Sequence, residues 1–354
     1  MMEQTELSFR QLRSMLTKAC VAAGCDEINA ASLVEATLSA HQFGQPALGL
    51  PHLVDYLEAL EGGRINGRAA PAVTLPLPAI CAVDAKGGIA QTGFDLALPA
   101  LLEQARALGM ALFVQNNSYT TGELGYYVRR LAAKGLIAIA ATNGPALMAA
   151  GAGGKRVYCT NPLAFGAPGG PDGGQIVIDQ ASSATAFVKL VKAAAAGESI
   201  PQGWAIDATG APTTSAAEAI EGALLPFGGA RGANIALMVE LLSAGASGAN
   251  WSLDAGDFRS GDRSPGIGLT VIALAPPPGF AERAAAQMRR LQNFGVHAPG
   301  GRSANTPLRD DERVAVDAAA FAAIEAYAAR DFGGRSPFAT AGANSLPSHR
   351  SLEQ

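Results

Sequence analysis

The chain has 354 residues, of which 49% are apolar and only 16% are charged, and its formal net charge at pH 7 is −4. A chain of this length buries about three quarters of its unfolded surface, which is enough for two hydrophobic cores. Lys and Arg form no run, so the sequence argues against a nucleic-acid-binding surface, which needs clustered cations to meet phosphates.

Two further classes of protein are disfavoured by the sequence. The longest apolar stretches, such as residues 136–142, are far too short to span a bilayer, and the N-terminal segment is polar and acidic, unlike a signal peptide. We therefore expect a cytoplasmic protein that does not contact membranes. The four cysteines show no Cys-x-x-Cys pair and no neighbouring histidine, so we expect neither a disulfide framework nor a metal site.

The N-terminal part of the chain has the pattern of consecutive helices. Ser8, followed three residues later by Gln11, forms a capping box. Asp26 precedes a second apolar-periodic run that ends near His41. Residues 43–67 then pass from a Gly/Pro-rich turn into an amphipathic third helix.

Extended segments punctuated by proline begin at residue 71, where we place a lobe boundary. The next elements are a helix over 94–108 closed by Gly109, a strand over 110–116, a helix over 122–134 closed by Gly135 and a strand over 136–142. Helices that end in glycine and return to an apolar run are typical of βαβ units. A second such unit is predicted over 175–197, with its strand ending at Asp179.

The Gly-rich segments 151–156 and 166–174 match neither the Rossmann fingerprint nor a P-loop, so we interpret them as turns. The stretch 232–251 is apolar nearly all round, which predicts a buried helix. The C-terminal elements are a strand over 263–274, helices over 284–294 and 317–330, and a tail after Gly333 that we expect to be disordered.

Six stretches carry a resemblance to a known family, and they occur in collinear order. They are NNSYTTGELGYY (116–127), TNPLAFGAP (160–168), IVIDQASSATA (176–186), PQGWAIDATGAPTT (201–214), GALLPFGGARGANIALMVELLSAGASGANW (222–251) and HAPGGRSAN (297–305). Together they resemble the type-2 malate/L-lactate dehydrogenase family over about residues 25–310. Members of that family include ureidoglycolate, diketogulonate and sulfolactate dehydrogenases and reductases of cyclic ketimines such as Δ1-pyrroline-2-carboxylate.

The resemblance implies a homodimeric α/β enzyme with a non-Rossmann nicotinamide-cofactor fold, in which a central mixed-sheet lobe is joined by a helical lobe from both termini. On this basis we assign residues 1–70 to a helical substrate lobe and residues 71–285 to the cofactor lobe. Residues 286–335 are expected to form helices that pack on the N-terminal lobe, and residues 336–354 a disordered tail.

Three segments are implied to bind NADPH or NADH. The first lies at a strand-to-helix junction, where hydroxyls and free amides suit an anion; its alternative interpretation is ordinary helix capping by Ser182 or Asp179. The second is a Gly-Gly-x-Lys-Gly loop with Arg231 in place of Lys, which keeps the charge. In the third segment, Gly301 stands where the family usually has an acidic residue. The implied cofactor residues are Ile178, Asp179, Gln180, Ser182, Ser183, Ala230, Arg231, Gly300, Gly301 and Arg302. Arg231 and Arg302 favour NADPH over NADH, because they offer cations for its 2′-phosphate.

The expected proton donors of the family are absent from this sequence. Reduction of a ketone by hydride generates an alkoxide, so the site must deliver a proton, typically from a histidine. Leu48 and Thr120 occupy the positions of the family's two histidines, and Ala47 stands in place of the serine beside the first of them. Lys189 stands where the ketimine reductases have an aspartate.

His52 is the main candidate to act in their place, because His349 lies in the tail and His41 and His297 lie near other elements. It follows Leu48 by one helical turn if the helix runs through both positions. Relatives carry there an arginine that binds the substrate carboxylate. The sequence leaves three roles open for His52: carboxylate ligand, relocated proton donor, or a helix-capping residue without chemistry.

The resulting functional hypothesis is transfer of a hydride from NAD(P)H to C2 of a small carboxylate. A cyclic ketimine is favoured, because it is protonated on nitrogen before the hydride arrives and needs no strong acid. We expect His52 to bind the carboxylate with Thr160 and Thr120, and Ser118 and Lys189 to make further polar contacts. Thr160 could instead be a turn hydroxyl. The alternatives are a 2-hydroxy acid dehydrogenase with His52 or Lys189 as donor, and a cofactor-binding protein that has lost catalysis.

Overall fold

The computed structural model describes residues 4–170, 173–297, 299–300 and 309–330. The helices are α1 (Phe9–Ala22), α2 (Glu27–Gln42), α3 (Leu50–Glu61), α4 (Ala90–Leu108), α5 (Gly125–Ala132), α6 (Phe187–Ala196), α7 (Ala216–Glu221), α8 (Ala230–Glu240), α9 (Phe280–Asn293) and α10 (Ala318–Ala328). The strands are β1 (Gln4–Ser8), β2 (Ala72–Leu77), β3 (Ile80–Asp84), β4 (Met110–Ser118), β5 (Ile137–Thr142), β6 (Met148–Ala149), β7 (Arg156–Tyr158), β8 (Leu163–Pro168), β9 (Gln175–Gln180), β10 (Ala205–Ile206), β11 (Pro212–Thr213), β12 (Ala223–Leu224), β13 (Ile267–Leu274) and β14 (Arg313–Asp317).

These strands form three sheets. A seven-stranded sheet has the order β2-β3-β4-β13-β5-β8-β9, a five-stranded sheet has the order β11-β10-β12-β6-β7, and β1 pairs with β14. In the large sheet only β3 and β4 run parallel as neighbours, and every other pair is antiparallel. The predicted α/β class with a mixed central sheet and a helical lobe from both termini is confirmed.

The βαβ interpretation holds for one unit and fails for the other. α4 ends at Gly109, whose φ of 85° is the left-handed conformation that glycine adopts freely, and the chain returns into β4 parallel to β3. The second predicted unit is wrong. β9 pairs antiparallel with β8, and α6 leads out of the large sheet toward the five-stranded one.

The helical lobe is built by α1, α2 and α3 together with α10. Ser8 caps α1 through the predicted capping box, and Asp26 caps α2 by accepting the Asn29 N–H at 2.9 Å. The core of this lobe joins residues of both chain ends, including Leu12, Leu57 and Ile324. α9 departs from the expectation for residues 286–335, because it packs on β8 of the large sheet rather than on the N-terminal helices.

The third predicted helix is interrupted where the sequence analysis assumed continuity. A 3-10 helix covers Pro46–Leu48, Gly49 leaves helical geometry with φ −88° and ψ −120°, and α3 begins at Leu50. Pro51 in the first turn of α3 lacks an N–H, which suits that position and no later one. Leu48 and His52 therefore do not share one continuous helix.

The apolar stretch 232–251 is not buried as predicted. It forms α8 and a π-helical turn over Leu241–Gly245, and several of its large side chains are exposed in this chain. Met238 is 54% exposed and Leu241 is 55% exposed. Within the described ranges, no helix is both long and apolar enough to cross a membrane. The predicted tail, with His349, and the two cofactor candidates Gly301 and Arg302 lie outside the described residues.

Candidate active site

A cleft of about 410 Å³ opens between the helical lobe and the two larger sheets. Its size is that of a typical small-molecule site. Segments from distant parts of the sequence line it: residues 45–55, 120–124, 142–147, 159–162, 179–188 and 258–259. His52, Thr120, Thr160, Asp179 and Gln180 all line this cleft, so it brings the substrate candidates His52, Thr120 and Thr160 together with two of the cofactor candidates.

His52 lies in the first turn of α3, and the Nδ1 side of its ring is held by Asp55. Its Nδ1 is 3.0 Å from Asp55 Oδ2, and its Nε2 is 3.5 Å from Thr120 Oγ1. An ionised carboxylate only accepts hydrogen bonds, so Nδ1 carries the hydrogen and a neutral ring keeps an acceptor lone pair on Nε2. The arrangement resembles the carboxylate–imidazole pairs that orient a reacting histidine.

Thr120 is fixed by a buried tyrosine. The Tyr56 hydroxyl donates to the Thr120 carbonyl at 3.0 Å and accepts from the Thr120 hydroxyl at 2.6 Å and from the Gln91 amide at 3.4 Å. Burial raises the pKa of Tyr56 to about 12, so the phenol stays neutral and keeps these bonds. Because the Thr120 hydroxyl donates to Tyr56, it leaves the His52 Nε2 lone pair free for a donor in the cleft.

Asp179 is the acid at the opposite side of the cleft. Burial raises the pKa of this carboxyl to about 6, although the Gly125 N–H donates to its Oδ2 at 2.7 Å and opposes the shift. The nearby Glu123 carboxylate adds to the shift and is itself bound to Arg129 in a buried ion pair of 2.6 Å. The cleft therefore carries acidic groups at both ends, Asp55 beside His52 and Asp179 at the end of β9.

The Thr160–Pro162 segment is held by a buried carboxylate. Asn161 has a φ of 36°, and its amide donates to Glu240 Oε2 at 2.8 Å. Glu240 also accepts the Ser252 N–H at 2.6 Å and the Ser252 hydroxyl at 2.7 Å. This network stabilises an uncommon backbone conformation and so presents Thr160 to the cleft.

The implied cofactor segments converge around β9. The Ser182 N–H donates to the Thr160 carbonyl at 2.8 Å, and the Ser182 carbonyl accepts the Phe227 N–H at 3.0 Å. At the start of the same strand, the Val177 N–H lies 3.5 Å from the Pro299 carbonyl, with Gly300 close against the strand. The first and second segments thus touch directly, and the described part of the third lies on the same strand.

The second segment presents the N-terminus of α8. Gly228 and Gly229 have φ values of 57° and 63°, and Gly229 is the N-cap. The first-turn N–H groups of a helix lack intrahelical acceptors, which suits an anion; here the Gly232 N–H already donates to the Phe227 carbonyl at 3.0 Å, and those of Ala230 and Arg231 remain. Arg231 is exposed beside it. Glycine backbone, free N–H groups and a guanidinium together fit the phosphates of a nicotinamide dinucleotide.

Comparisons with known proteins agree with this geometry. The family model described as malate/L-lactate dehydrogenase matches residues 7–324. The chain belongs to the malate/L-lactate dehydrogenase family. As a member of that family it is an NAD(P)-dependent oxidoreductase, with NADPH or NADH as its cofactor.

Individual relatives come from more than one branch of the family. The chain is 33% identical over 328 residues to the (2R)-3-sulfolactate dehydrogenase (NADP(+)) of Chromohalobacter salexigens, covering 91% of this chain and 98% of that protein. It is 37% identical over 257 residues to the Δ1-pyrroline-2-carboxylate/Δ1-piperideine-2-carboxylate reductase of Pseudomonas aeruginosa, covering 72% and 77%. The crystal structure of Δ1-piperideine-2-carboxylate reductase from Pseudomonas syringae pathovar tomato superposes with a TM-score of 0.79 at 34% identity, covering 84% of this chain and 91% of that one.

Two residues that the resemblance suggested as catalytic, Ser118 and Lys189, do not line the cleft themselves. Ser118 is fully buried, and its hydroxyl donates to the Ile267 carbonyl at 3.2 Å, between two strands of the large sheet. Lys189 is exposed on α6, with its Nζ 6.0 Å from the centre of the Trp204 ring. Neither side chain is among the residues that line the cleft.

The serine hydroxyls of the first cofactor segment bind backbone carbonyls of this chain. The Ser182 and Ser183 hydroxyls are buried and donate to the carbonyls of Asn161 and Thr185, both at 2.7 Å, so neither caps α6. Ile178 is 38% exposed on the strand and does not line the cleft. Of this segment, Asp179 and Gln180 reach the cleft directly.

Phe258 and Arg259 are among the cleft residues that the sequence did not identify. Their segment lies outside every stretch that carried the family resemblance, and no periodicity marks it. Asp55 was likewise not identified as the partner of His52. The i, i+3 spacing of Asp55 and His52 was the available signal, because such pairs meet on one helix face.

Proposed function

We propose that this protein reduces a cyclic ketimine carboxylate, such as Δ1-pyrroline-2-carboxylate or Δ1-piperideine-2-carboxylate, to proline or pipecolate. The observation that carries the proposal is the Asp55–His52 pair at the cleft, which leaves the Nε2 lone pair of His52 available to a substrate there. When bound, the reduced nicotinamide supplies the hydride that is transferred to C2.

The charge of the cleft suits an iminium substrate. A protonated ketimine carries a positive charge and an N–H donor, and His52 Nε2 offers an acceptor for that donor. The carboxylate of Asp55 behind the ring stabilises the positive charge. Hydride addition to C2 moves the C=N electron pair onto nitrogen and leaves an amine, so no alkoxide forms and no proton need arrive during the step.

The residues at the family's histidine positions support this chemistry. Ala47 and Leu48 line the cleft with apolar side chains next to His52, and Thr120 directs its hydroxyl to Tyr56. Neither position provides an acid for an alkoxide. The relatives named as ketimine reductases, at 37% and 34% identity, support the same substrate class.

A 2-hydroxy acid dehydrogenase is the second candidate. This chain aligns with nearly the whole length of the relative named as a sulfolactate dehydrogenase. In this case His52 would enter the reaction as an imidazolium, with Asp55 holding Nδ1 and Nε2–H donating to the ketone oxygen. The same pair of residues then serves as an acid instead of an acceptor.

Initial rates of NADPH oxidation distinguish these candidates. The panel comprises the two cyclic ketimines and three 2-oxo acids: oxaloacetate, pyruvate and sulfopyruvate. We expect kcat/KM for one ketimine to exceed that of every 2-oxo acid by at least about tenfold. A higher kcat/KM for a 2-oxo acid would support the second candidate, and no oxidation with any compound would support a binding protein without catalysis.

We also propose that NADPH is preferred over NADH, because Arg231 lies exposed at the anion-binding end of α8. Arg231→Ala should weaken NADPH binding by about 1 to 3 kcal/mol and NADH binding by less, since a charged hydrogen bond to the 2′-phosphate is lost. Fluorescence titration of wild type and variant with both cofactors measures this. Equal losses for the two cofactors would exclude a 2′-phosphate contact.

A homodimer is proposed for the quaternary structure. The proposal rests on the exposed apolar side chains of α8 and of the segment after it, because a monomeric protein rarely exposes so many apolar side chains together to water. They are Leu237, Met238, Leu241, Trp251 and Leu253. Leu241→Arg should shift the mass in light scattering from dimer to monomer, whereas Leu77→Arg on the edge strand β2 should not. A wild-type monomer at micromolar concentration would contradict the proposal.

A further inference from the structure

One cation in the cleft is not used by the function proposed above. Arg259 lines the cleft with His52, Thr120 and Thr160, and it is the one lysine or arginine among the described lining residues. We infer that Arg259 binds the carboxylate of the substrate and so takes over the task of the arginine that His52 replaces. This inference rests on the proposed function, because it requires a carboxylate substrate.

The backbone of Arg259 is anchored to the helical lobe. The buried Tyr119 hydroxyl donates to the Phe258 carbonyl at 2.7 Å, and the Arg259 N–H donates to Asp257 Oδ1 at 2.9 Å. Phe258 packs against the core of the helical lobe. Because the two residues before Arg259 are fixed in this way, its side chain leaves the loop at a defined place beside the cleft.

The guanidinium is also positioned by aromatic rings. Its Cζ lies 5.1 Å from the centre of the Phe187 ring and 5.8 Å from that of Phe258. Phe187 is the first residue of α6, on the cofactor side of the cleft. A guanidinium stacked on a ring keeps its N–H edge available for a planar carboxylate.

The charge balance of the cleft requires a cation for a carboxylate substrate. Asp55 and Asp179 both line the cleft, and their charges repel an anion. His52 is already engaged by Asp55, which offsets any positive charge on its ring. Among the described residues, Arg259 makes no ion pair, in contrast to Arg129 and Arg130.

Arg259 also lies on the same side of the cleft as His52 and Asp55. A second cavity of about 370 Å³ is lined by His52, Asp55 and Arg259 together, and it includes no residue of the α8 N-terminus. The guanidinium therefore belongs with the substrate residues rather than with Arg231. A bidentate pair between the Arg259 guanidinium and the substrate carboxylate would fix C2 of the substrate relative to His52.

The test measures binding of dead-end carboxylates to the enzyme–NADPH complex by calorimetry. Pyrrole-2-carboxylate represents the planar ketimine, oxamate represents a 2-oxo acid, and pyrrole-2-carboxamide lacks the charge. We expect Arg259→Ala to raise the Kd of the bound carboxylate by 10-fold to 100-fold, to change the Kd of the carboxamide by less than about twofold, and to leave that of NADPH unchanged.

Two further variants control the result. Arg263→Ala removes an exposed arginine of the same loop that lines neither cavity, and it should leave every Kd as in wild type. Arg259→Lys should recover only part of the carboxylate affinity, because an ammonium cannot form the bidentate fork. In turnover, Arg259→Ala should raise KM more than it lowers kcat.

The inference is overturned if Arg259→Ala binds the carboxylates as wild type does, or if it weakens NADPH and the carboxylates equally. The proposed ketimine activity fails in a different way. In that case wild-type enzyme binds oxamate better than pyrrole-2-carboxylate, while Arg259→Ala still weakens the carboxylate that binds.

Discussion

The cofactor side and the substrate side of the cleft are built on different principles. On the cofactor side, the segments around β9 and the α8 N-terminus contact one another through backbone N–H and carbonyl groups, with glycines at positions of positive φ. On the substrate side, the side chains of His52, Thr120 and Arg259 come from three separate segments that line one cleft.

This difference explains which parts of the family pattern are kept. A backbone cradle depends on glycine geometry, so substitutions within it cost folding free energy as well as binding. A site made by side chains from separate segments can exchange one charged group for another at a different position. We interpret the loss of the family's histidines and arginine, together with the presence of Asp55 and Arg259, as such an exchange.

On the cofactor side, the effect that reaches both binding and folding is expected for Gly232→Ala. A Cβ at this position would lie 2.2 Å from the Phe227 carbonyl oxygen, so the loop before α8 must move. We expect the Kd of NADPH to rise at least tenfold, or the chain to lose stability. Gly151→Ala is the control, since its Cβ would meet open space. Wild-type cofactor affinity in Gly232→Ala would contradict a rigid backbone cradle.

On the substrate side, His52→Ala should lower kcat and kcat/KM together, by about 100-fold with the ketimine. The reason is that Nε2 is expected to bind the reacting iminium nitrogen, a contact that the hydride step needs. Asp55→Asn should act in the same direction with a smaller loss. If His52→Ala instead raises KM at unchanged kcat, His52 is the carboxylate ligand favoured by the sequence, and Arg259 is not needed in that role.

Asp179 lies where the two sides meet and gives a pH test. Its pKa in the folded chain is about 6, above the ordinary value, so the native state takes up a proton that the unfolded chain releases. The stability from this group is therefore complete at low pH and is lost as pH rises from about 4 to 6, by about 3 kcal/mol at most.

Asp179→Asn should remove this pH dependence, because an amide does not titrate and can still accept the Gly125 N–H. Urea unfolding of wild type and variant at pH 4.5 and pH 7 measures it. The variant should gain stability relative to wild type at the higher pH. Parallel stabilities at the two pH values would show that the carboxyl is solvated and ionised throughout.

The smallest effect is expected for Lys189→Ala. Lys189 occupies the position of an aspartate in ketimine reductases, but its side chain is exposed near Trp204 and outside the cleft. Steady-state kinetics should show kcat/KM within about twofold of wild type. A loss of tenfold or more would mean that α6 moves to bring this lysine to the substrate.

The sequence predicted most elements of the fold because their signals are local. Gly109 and Gly197 end helices in left-handed conformations, and Ser8 and Asp26 cap the helices that follow them. What it did not predict is long-range. β13 enters the large sheet between β4 and β5, although it follows them by many elements, and no local pattern encodes that pairing.

The candidate site was predicted in the same uneven way. The Gly-Gly-x-Arg-Gly loop was identified because its glycines are required at fixed positions, and the structure gives Gly228 and Gly229 positive φ. The direction of the Ser118 hydroxyl could not be predicted, because whether it faces the cleft or the neighbouring strand depends on the pairing of β4 with β13. Arg259 was missed, since its ring partner Phe187 belongs to a distant segment.

The central claim, hydride transfer to C2 of a cyclic ketimine, is tested most directly by isotope transfer. The enzyme is incubated with Δ1-piperideine-2-carboxylate and NADPH carrying deuterium at C4 of the nicotinamide, using each of the two C4 stereoisomers in turn. We predict that one stereoisomer yields pipecolate with a single deuterium at C2, detected by mass spectrometry and NMR. The account would be contradicted if neither isomer gave deuterated pipecolate while the enzyme formed a deuterated hydroxy acid from sulfopyruvate or oxaloacetate.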